Sequence, residues 1–286
     1  IVDSGADASY GGAAGGYGEI ITKEGGNEFD GTFNFFFRDD AFDNDRAGNT
    51  DPADFGVIRP SIYVSGPIVK DHLWYMATHE LYDAEFPVDL VGGADFVRSE
   101  KRLIHRDKLT WQVTPKNKLQ LQFSADPLEA EPLAVSSVRP PETGVSYERS
   151  GPSFTLTWTS PFSPTFFWEA TVGFSDISID YEPFVRGNPN SCISPDQSDV
   201  RFSGDKERWT TMMCDDASRG NLRSGTFFQD YGDDRTRWTY AVNAEQYVAD
   251  WLGGQHRLKF GMNVQQAEYS RDLIQRRLAP ARPAND

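Results

Sequence analysis

Cysteine is nearly absent from this chain: Cys192 and Cys214 are the only two, so neither a disulfide-dense miniature fold nor a C-x-x-C zinc or redox motif is available. Long apolar runs are missing as well. Nothing approaches the roughly 18 consecutive apolar residues of a transmembrane helix, so any membrane role must come from a barrel or from surface contact. Positive charge is also short, with 28 Lys and Arg against 43 Asp and Glu and a formal net charge of -15. That balance repels phosphate backbones, and nucleic acid is not an expected partner. Residues 1–10 have no initiator Met, basic region or apolar stretch of a secretory leader, which gives the chain the character of an internal fragment.

Aromatic residues, glycine and proline are abundant, a mixture that suits strands and turns. From Phe29 onward the apolar residues alternate with polar ones, the period of a strand with one face in an apolar medium. Leu258, Phe260, Met262 and Val264 fall on one face, and Lys259, Gly261, Asn263 and Gln265 on the other. Leu119, Leu121 and Phe123 repeat the pattern, as do Phe154, Leu156 and Trp158, and then Trp168, Ala170, Val172 and Phe174. About nine such segments are predicted, near 28–40, 58–69, 73–85, 100–114, 118–126, 149–160, 165–181, 236–251 and 256–271. Several match or exceed the roughly 9–11 residues with which a tilted strand crosses a bilayer.

The connections alternate in length. Short ones at 70–72, 115–117, 161–164 and 252–255 carry the Pro, Asn, Asp or Gly of tight turns. Long polar ones cover about 41–57, 86–99, 127–148 and 183–235. In an up-and-down antiparallel sheet every second connection lies on the same rim, so this alternation predicts one rim of turns and one of loops. Outer-membrane barrels are built that way, with an apolar face toward lipid and a polar face toward the lumen. The expected fold class is therefore all-β, an antiparallel up-and-down transmembrane β-barrel, and the expected location is the outer membrane. Trp74, Tyr75, Trp111, Trp158, Trp168, Trp238 and Trp251 lie near predicted strand ends, where aromatic girdles sit.

Two stretches carry a resemblance. Gly16-Tyr17-Gly18-Glu19-Ile20-Ile21-Thr22-Lys23-Glu24-Gly25-Gly26-Asn27-Glu28-Phe29-Asp30-Gly31 and Val64-Ser65-Gly66-Pro67-Ile68-Val69-Lys70-Asp71 resemble the TonB-dependent outer-membrane receptors, in particular their Oar-like branch, whose members often carry a carboxypeptidase-regulatory-like domain. The former is similar to the end of that family's plug running into its first barrel strand, and the latter to the next strand and its turn. Glu19 and Glu24 depart from the family's usual neutral residue and serine. The resemblance implies residues 1–26 as the end of a plug domain and 27–286 as the first part of a barrel, about nine strands of an expected 22. It also implies transport of a scarce solute, energised by the inner-membrane TonB complex through parts not contained in this sequence, with outer-membrane lipid as the surrounding partner. A structural or adhesive surface protein, and a soluble extracellular carbohydrate-binding β-sandwich, are the alternative functions.

Solute contacts are expected in the long loops, from Arg186, Arg208, Trp209, Arg219, Phe227, Phe228 and Tyr231, with loop self-packing as the competing explanation. An iron chelate, a vitamin, a glycan and a peptide all fit this expectation. Cys192 and Cys214 share a loop placed outside the cell, where a disulfide is expected to persist and to contribute about 3 kcal/mol. The stretch Asp43-Asn44-Asp45-Arg46-Ala47-Gly48-Asn49-Thr50-Asp51-Pro52-Ala53-Asp54 partly follows a calcium loop, but Ala47 at its fifth position and the lack of flanking helices favour a solvated acidic loop. His72, His79, His105 and His256 are scattered without metal-ligand spacing. The glycines from Gly11 to Gly18 form neither a phosphate loop nor a dinucleotide fingerprint, and no nucleophile elbow or paired-carboxylate arrangement stands out. No metal, cofactor or catalytic activity is expected.

Overall fold

Alternation of apolar and polar residues produces strands here because the pleat sends successive side chains to opposite faces. A computed structural model describes residues 22–42, 55–89, 95–185, 214–216, 220–251 and 253–275. Its strands are β1 (Asp30–Asp39), β2 (Gly56–Val69), β3 (Leu73–Asp89), β4 (Asp95–Thr114), β5 (Asn117–Ala125), β6 (Leu128–Leu133) and β7 (Val145–Ser150). They continue as β8 (Pro152–Ser163), β9 (Phe166–Pro183), β10 (Cys214–Asp216), β11 (Leu222–Ser224), β12 (Gln229–Trp251) and β13 (Gly254–Gln275). Eleven strands form one antiparallel sheet with the path β1-β2-β3-β4-β5-β8-β9-β12-β13, and β10 pairs with β11 as a separate ribbon.

The two strands off that path prolong two strands on it. β5 and β6 pair with β4 in a single register, as His105 opposite Ala125 and Arg102 opposite Leu128 require, and the Leu103 N–H donates to the Pro127 carbonyl in the gap between them. β8 and β7 likewise share one register on β9, with Ser153 opposite Ser175 and Ser150 opposite Ser178. Gly151 lies at that junction with φ +130°, and a β-carbon there would lie 1.8 Å from the Asp176 carbonyl oxygen. Only glycine fits that backbone and that approach. The sheet is thus a meander of nine long antiparallel strands, matching the nine predicted segments in number and order.

Differences lie on the loop rim. The expected connection at 127–148 is largely the β6–β7 extension, the one at 86–99 shrinks to 90–94, and the last long one ends at Phe228 rather than 235. Glu, Asp and Pro in these stretches resemble loop composition, but pairing with an already formed neighbour carries the strand through them. The 3-10 turn Pro141–Thr143 closes the extension, where Ala130, Thr143 and Val145 are buried.

Direct partners in the register divide the sheet into two faces. One bears Phe33, Phe35 and Phe37 on β1, Leu109 and Trp111 on β4, Val172 and Phe174 on β9, and Met262 and Val264 on β13. No second layer covers it among the described residues. Phe33 is 67% exposed and Met262 63%, and among the described residues the buried hydrophobic side chains are confined to Met76, Ala84, Ala130 and Val145. An uncovered apolar sheet of this extent far exceeds the roughly 300–600 Å² patch of a typical soluble monomer.

The apolar residues form a band that crosses the strands obliquely. On β13 its loop-side limit is Val264, whose row of direct register partners runs through Tyr240, Val172, Leu156, Leu121, Leu109 and Tyr75 to Gly66 on β2. On β2, however, apolar residues continue up to Ile58. The limit therefore climbs eight residues over seven strand-to-strand steps. With a rise of about 3.3 Å per residue and a strand spacing of about 4.8 Å, a level band implies strands tilted by about 40°, within the range of closed barrels. Closure itself is not seen: β1 pairs with β2 and β13 with β12, each leaving its other edge open among the described residues.

Candidate solute-binding face

The opposite face of the same strands is polar. At the turn rim it holds residues 22–28, the middle of the first resembling stretch. Lys108 Nζ donates to the Thr22 carbonyl at 3.2 Å, Lys23 Nζ stands 4.6 Å from the centre of the Tyr63 ring, and Gln120 Nε2 donates to Glu24 Oε1 at 2.5 Å. Gly25 lies so close to β3 that a β-carbon would meet the Tyr75 carbonyl oxygen at 2.3 Å. Asn27 then clamps the β2–β3 turn. Its side-chain oxygen accepts from the Asp71 N–H at 2.9 Å and from Trp74 Nε1 at 2.8 Å, and its Nδ2 donates to Asp71 Oδ1. Asp71 has φ +64°, a conformation that these bonds hold in place. The two stretches that resemble one family in sequence thus meet through Asn27 and Asp71. Trp74, expected in an interface girdle, stands instead on this polar face, tied to Asn27.

Toward the loop rim the polar face becomes rich in arginine and tyrosine. Asp126, between β5 and β6, accepts from Arg102 Nε and Nη2 at 2.5 Å and from Arg149 Nη2 at 3.0 Å, tying three neighbouring strands. Tyr147, Tyr181 and Tyr231 occupy one register row on β7, β9 and β12, with ring centres 4.8 and 5.8 Å apart. Beside them Asp233, five residues beyond Trp238 and clear of the apolar band, is 1% exposed. It accepts from Tyr231 Oη at 2.5 Å, Tyr269 Oη at 3.0 Å, Arg235 Nε at 2.6 Å and Arg271 Nη2 at 3.2 Å. The hydrogen bond from Arg235, aided by those from Tyr231, Tyr269 and Arg271, outweighs the cost of burial and holds the Asp233 carboxyl well below the usual carboxylate range. One carboxylate thereby fixes two guanidinium groups whose outer edges stay open, Arg235 being 55% and Arg271 47% exposed.

Of the predicted contact residues that are described, only Tyr231 falls in this cluster, and it lies within β12 rather than in a loop. Phe227 and Phe228 pack on each other with ring centres 4.7 Å apart, in keeping with self-packing. Arg186, Arg208, Trp209, Arg219 and Cys192 lie outside the described residues, as does the calcium-like stretch 43–54. Cys214 begins β10, opposite Ser224 on β11. Two of the scattered histidines do come together: His79 and His105 are direct partners on the apolar face, their Nδ1 atoms 2.6 Å apart, with His79 Nε2 3.4 Å from Asp107 Oδ1. No group arranged to hold a metal ion is present among the described residues.

Missed by the sequence reading were Tyr147, Tyr181, Asp233, Arg235, Tyr269 and Arg271. Their signal was present as odd-numbered positions on one face, but Tyr231-Gly232-Asp233-Asp234 has the composition of a loop, which hid the start of the strand. No family model, no curated protein and no solved structure matches the chain.

Proposed function

We propose that this chain forms part of the wall of an outer-membrane β-barrel of the TonB-dependent receptor type, which binds a scarce solute on its polar inner face and loop rim and admits it past a plug. The observation that carries the reading is the slanted apolar band, uncovered on one face of a single nine-stranded meander and backed by a polar face. Lipid is the medium that suits such a face, and a tilt of about 40° is the tilt a closed barrel needs. The alternation of connections supports it further, since turns of two or three residues follow β2, β4, β8 and β12, and the longer connections share the opposite rim. Docking of residues 22–28 on the polar face supports the assignment of the first stretch as the end of a plug, because a plug meets its barrel from inside.

The test is to express the complete gene and examine its product in an outer-membrane fraction. A detergent-requiring β-structure whose gel mobility changes on boiling is the expected result, together with a plug and a TonB-contact segment encoded upstream. A product that is soluble without detergent would end the barrel reading in favour of a surface-binding sandwich. A membrane barrel with no plug encoded would favour display or passive diffusion.

A further inference from the structure

The net charge of -15 conceals a partition between the two faces. On the lipid-type face, Lys101 is the only Lys or Arg among the described strand residues, while acidic side chains such as Asp83, Glu129, Glu148, Asp180, Asp234 and Asp272 crowd its part beyond the band. The polar face reverses the sign at the same level, where arginines such as Arg106, Arg149, Arg235, Arg237 and Arg271 outnumber Glu80, Glu100, Asp126 and Asp233. Adjacent residues in a strand stand on opposite sides of the backbone, so one wall presents acid outward and guanidinium inward.

We propose that the loop-side part of the polar face, from the Tyr147-Tyr181-Tyr231 row to Arg235, Arg237 and Arg271, is a binding site for an anionic solute that carries carboxylate or phosphate groups on sugar or aromatic rings. The proposal rests on the transport reading and narrows its unknown solute to this class. Three observations converge on it. The tyrosine rings follow one another at 4.8 and 5.8 Å along a single row, a strip on which rings can rest while their hydroxyls meet phenol oxygens. The strip runs directly into cationic groups, since the Arg271 guanidinium is 5.2 Å from the Tyr231 ring centre and 5.2 Å from that of Tyr269, and the Arg235 guanidinium is 5.3 Å from Tyr269. Asp233 immobilises both arginines from beneath without neutralising them, one negative charge against two positive ones, and leaves guanidinium edges free for the bidentate contact that oxyanions favour. Arg237, exposed one position lower on the same face, adds a further cation.

The full-length gene product in detergent is titrated calorimetrically with hexagalacturonate, with neutral maltohexaose and with citrate. Hexagalacturonate, with both ring and carboxylate, is expected to bind at least tenfold more tightly than either of the others, and to weaken as salt is raised. Arg271→Gln and Arg237→Gln are each expected to lower its affinity about tenfold, whereas Lys101→Gln on the other face leaves it unchanged. Arg237→Gln guards against a folding artefact, since Arg237 is outside the Asp233 cluster. Maltohexaose binding as tightly as hexagalacturonate would overturn the anionic assignment, citrate binding as tightly would overturn the role of the rings, and full affinity in both arginine variants would overturn the site. A membrane barrel with any of these results leaves the transport reading standing, while a soluble product that binds hexagalacturonate through these arginines removes the transport reading and keeps the site.

Discussion

The two faces of the sheet are drawn from the same strands, residue by residue, and differ in almost every property. On β9, Ala170, Val172 and Phe174 stand on the apolar side, while Thr171, Gly173 and Ser175 between them stand on the other. The apolar side shows aromatic contacts and few polar ones, such as Trp158 against Trp168 at 4.4 Å and Phe174 against Trp238 at 4.8 Å. On the polar side, side-chain bonds cross from strand to strand, as between Arg59 and Glu80 or between Arg257 and Glu245. A soluble sheet would hide its apolar side under a second layer and expose its polar side to bulk water. Here, among the described residues, the apolar side lies bare and the polar side receives residues 22–28, the distribution expected of the proposed barrel, in which the usual inside and outside change places.

The most severe way to break the comparison is to disturb the register that keeps the faces distinct. Gly151→Val places a branched side chain where even a β-carbon would lie 1.8 Å from a carbonyl oxygen, at φ +130°. Expected is the loss of the folded, heat-modifiable species on an unboiled gel; normal folding would mean that β7 and β8 do not share one register.

A neighbouring pair tests the faces themselves. Val172→Arg, at the level of the band, is expected to cost about 2–4 kcal/mol in lipid vesicles, and Thr171→Arg less than about 0.5 kcal/mol. Denaturant titration of both gives the difference directly. Equal costs would mean that lipid does not contact the apolar face.

Smaller still is the expected effect of Asn27→Ala, which removes the clamp on Asp71 and Trp74 at a cost of about 1–2 kcal/mol. Because the contact is local, amide exchange should quicken in residues 22–28 while the central strands keep their protection. Uniform quickening throughout the sheet would show that the segment is integral to the sheet rather than laid upon it.

Acid gives the mildest perturbation. The Asp233 carboxyl titrates below its unfolded value, so its contribution is complete above the ordinary carboxylate range and is lost only as pH falls toward the depressed folded value. Stability is therefore expected to be insensitive to this group from about pH 8 to 5 and to decline below about pH 4, with a shallower acid limb in Asp233→Asn. An unchanged limb in that variant would remove Asp233 from the acid response.

Much of the fold was legible because the period of two is a local property. Leu258 to Val264 declares its apolar face from seven residues alone, and the turns at 70–72 and 252–255 announce themselves by composition. Legibility failed on the loop rim. Leu128-Glu129-Ala130-Glu131-Pro132 lacks the composition of a strand, yet it continues the register that β5 has already set on β4, and a formed neighbour supplies the hydrogen bonds that weak propensity does not. The same effect hid the arginine and tyrosine cluster, half of which stands in a stretch of Asp and Gly. The pairing of His79 with His105, 26 residues apart on separate strands, is likewise a matter of register that spacing along the chain does not show.

Sequence alone determined the strand period, the identity of the two faces and the alternation of short and long connections, since each depends on residues close in the chain. Only the tertiary structure decided how those faces are used: the oblique climb of the band, the meeting of Asn27 with Asp71, the seating of Asp233 between Arg235 and Arg271, and the separation of acid from base across one wall. These depend on the register between strands, which long-range hydrogen bonding sets and which a linear pattern of period two does not contain.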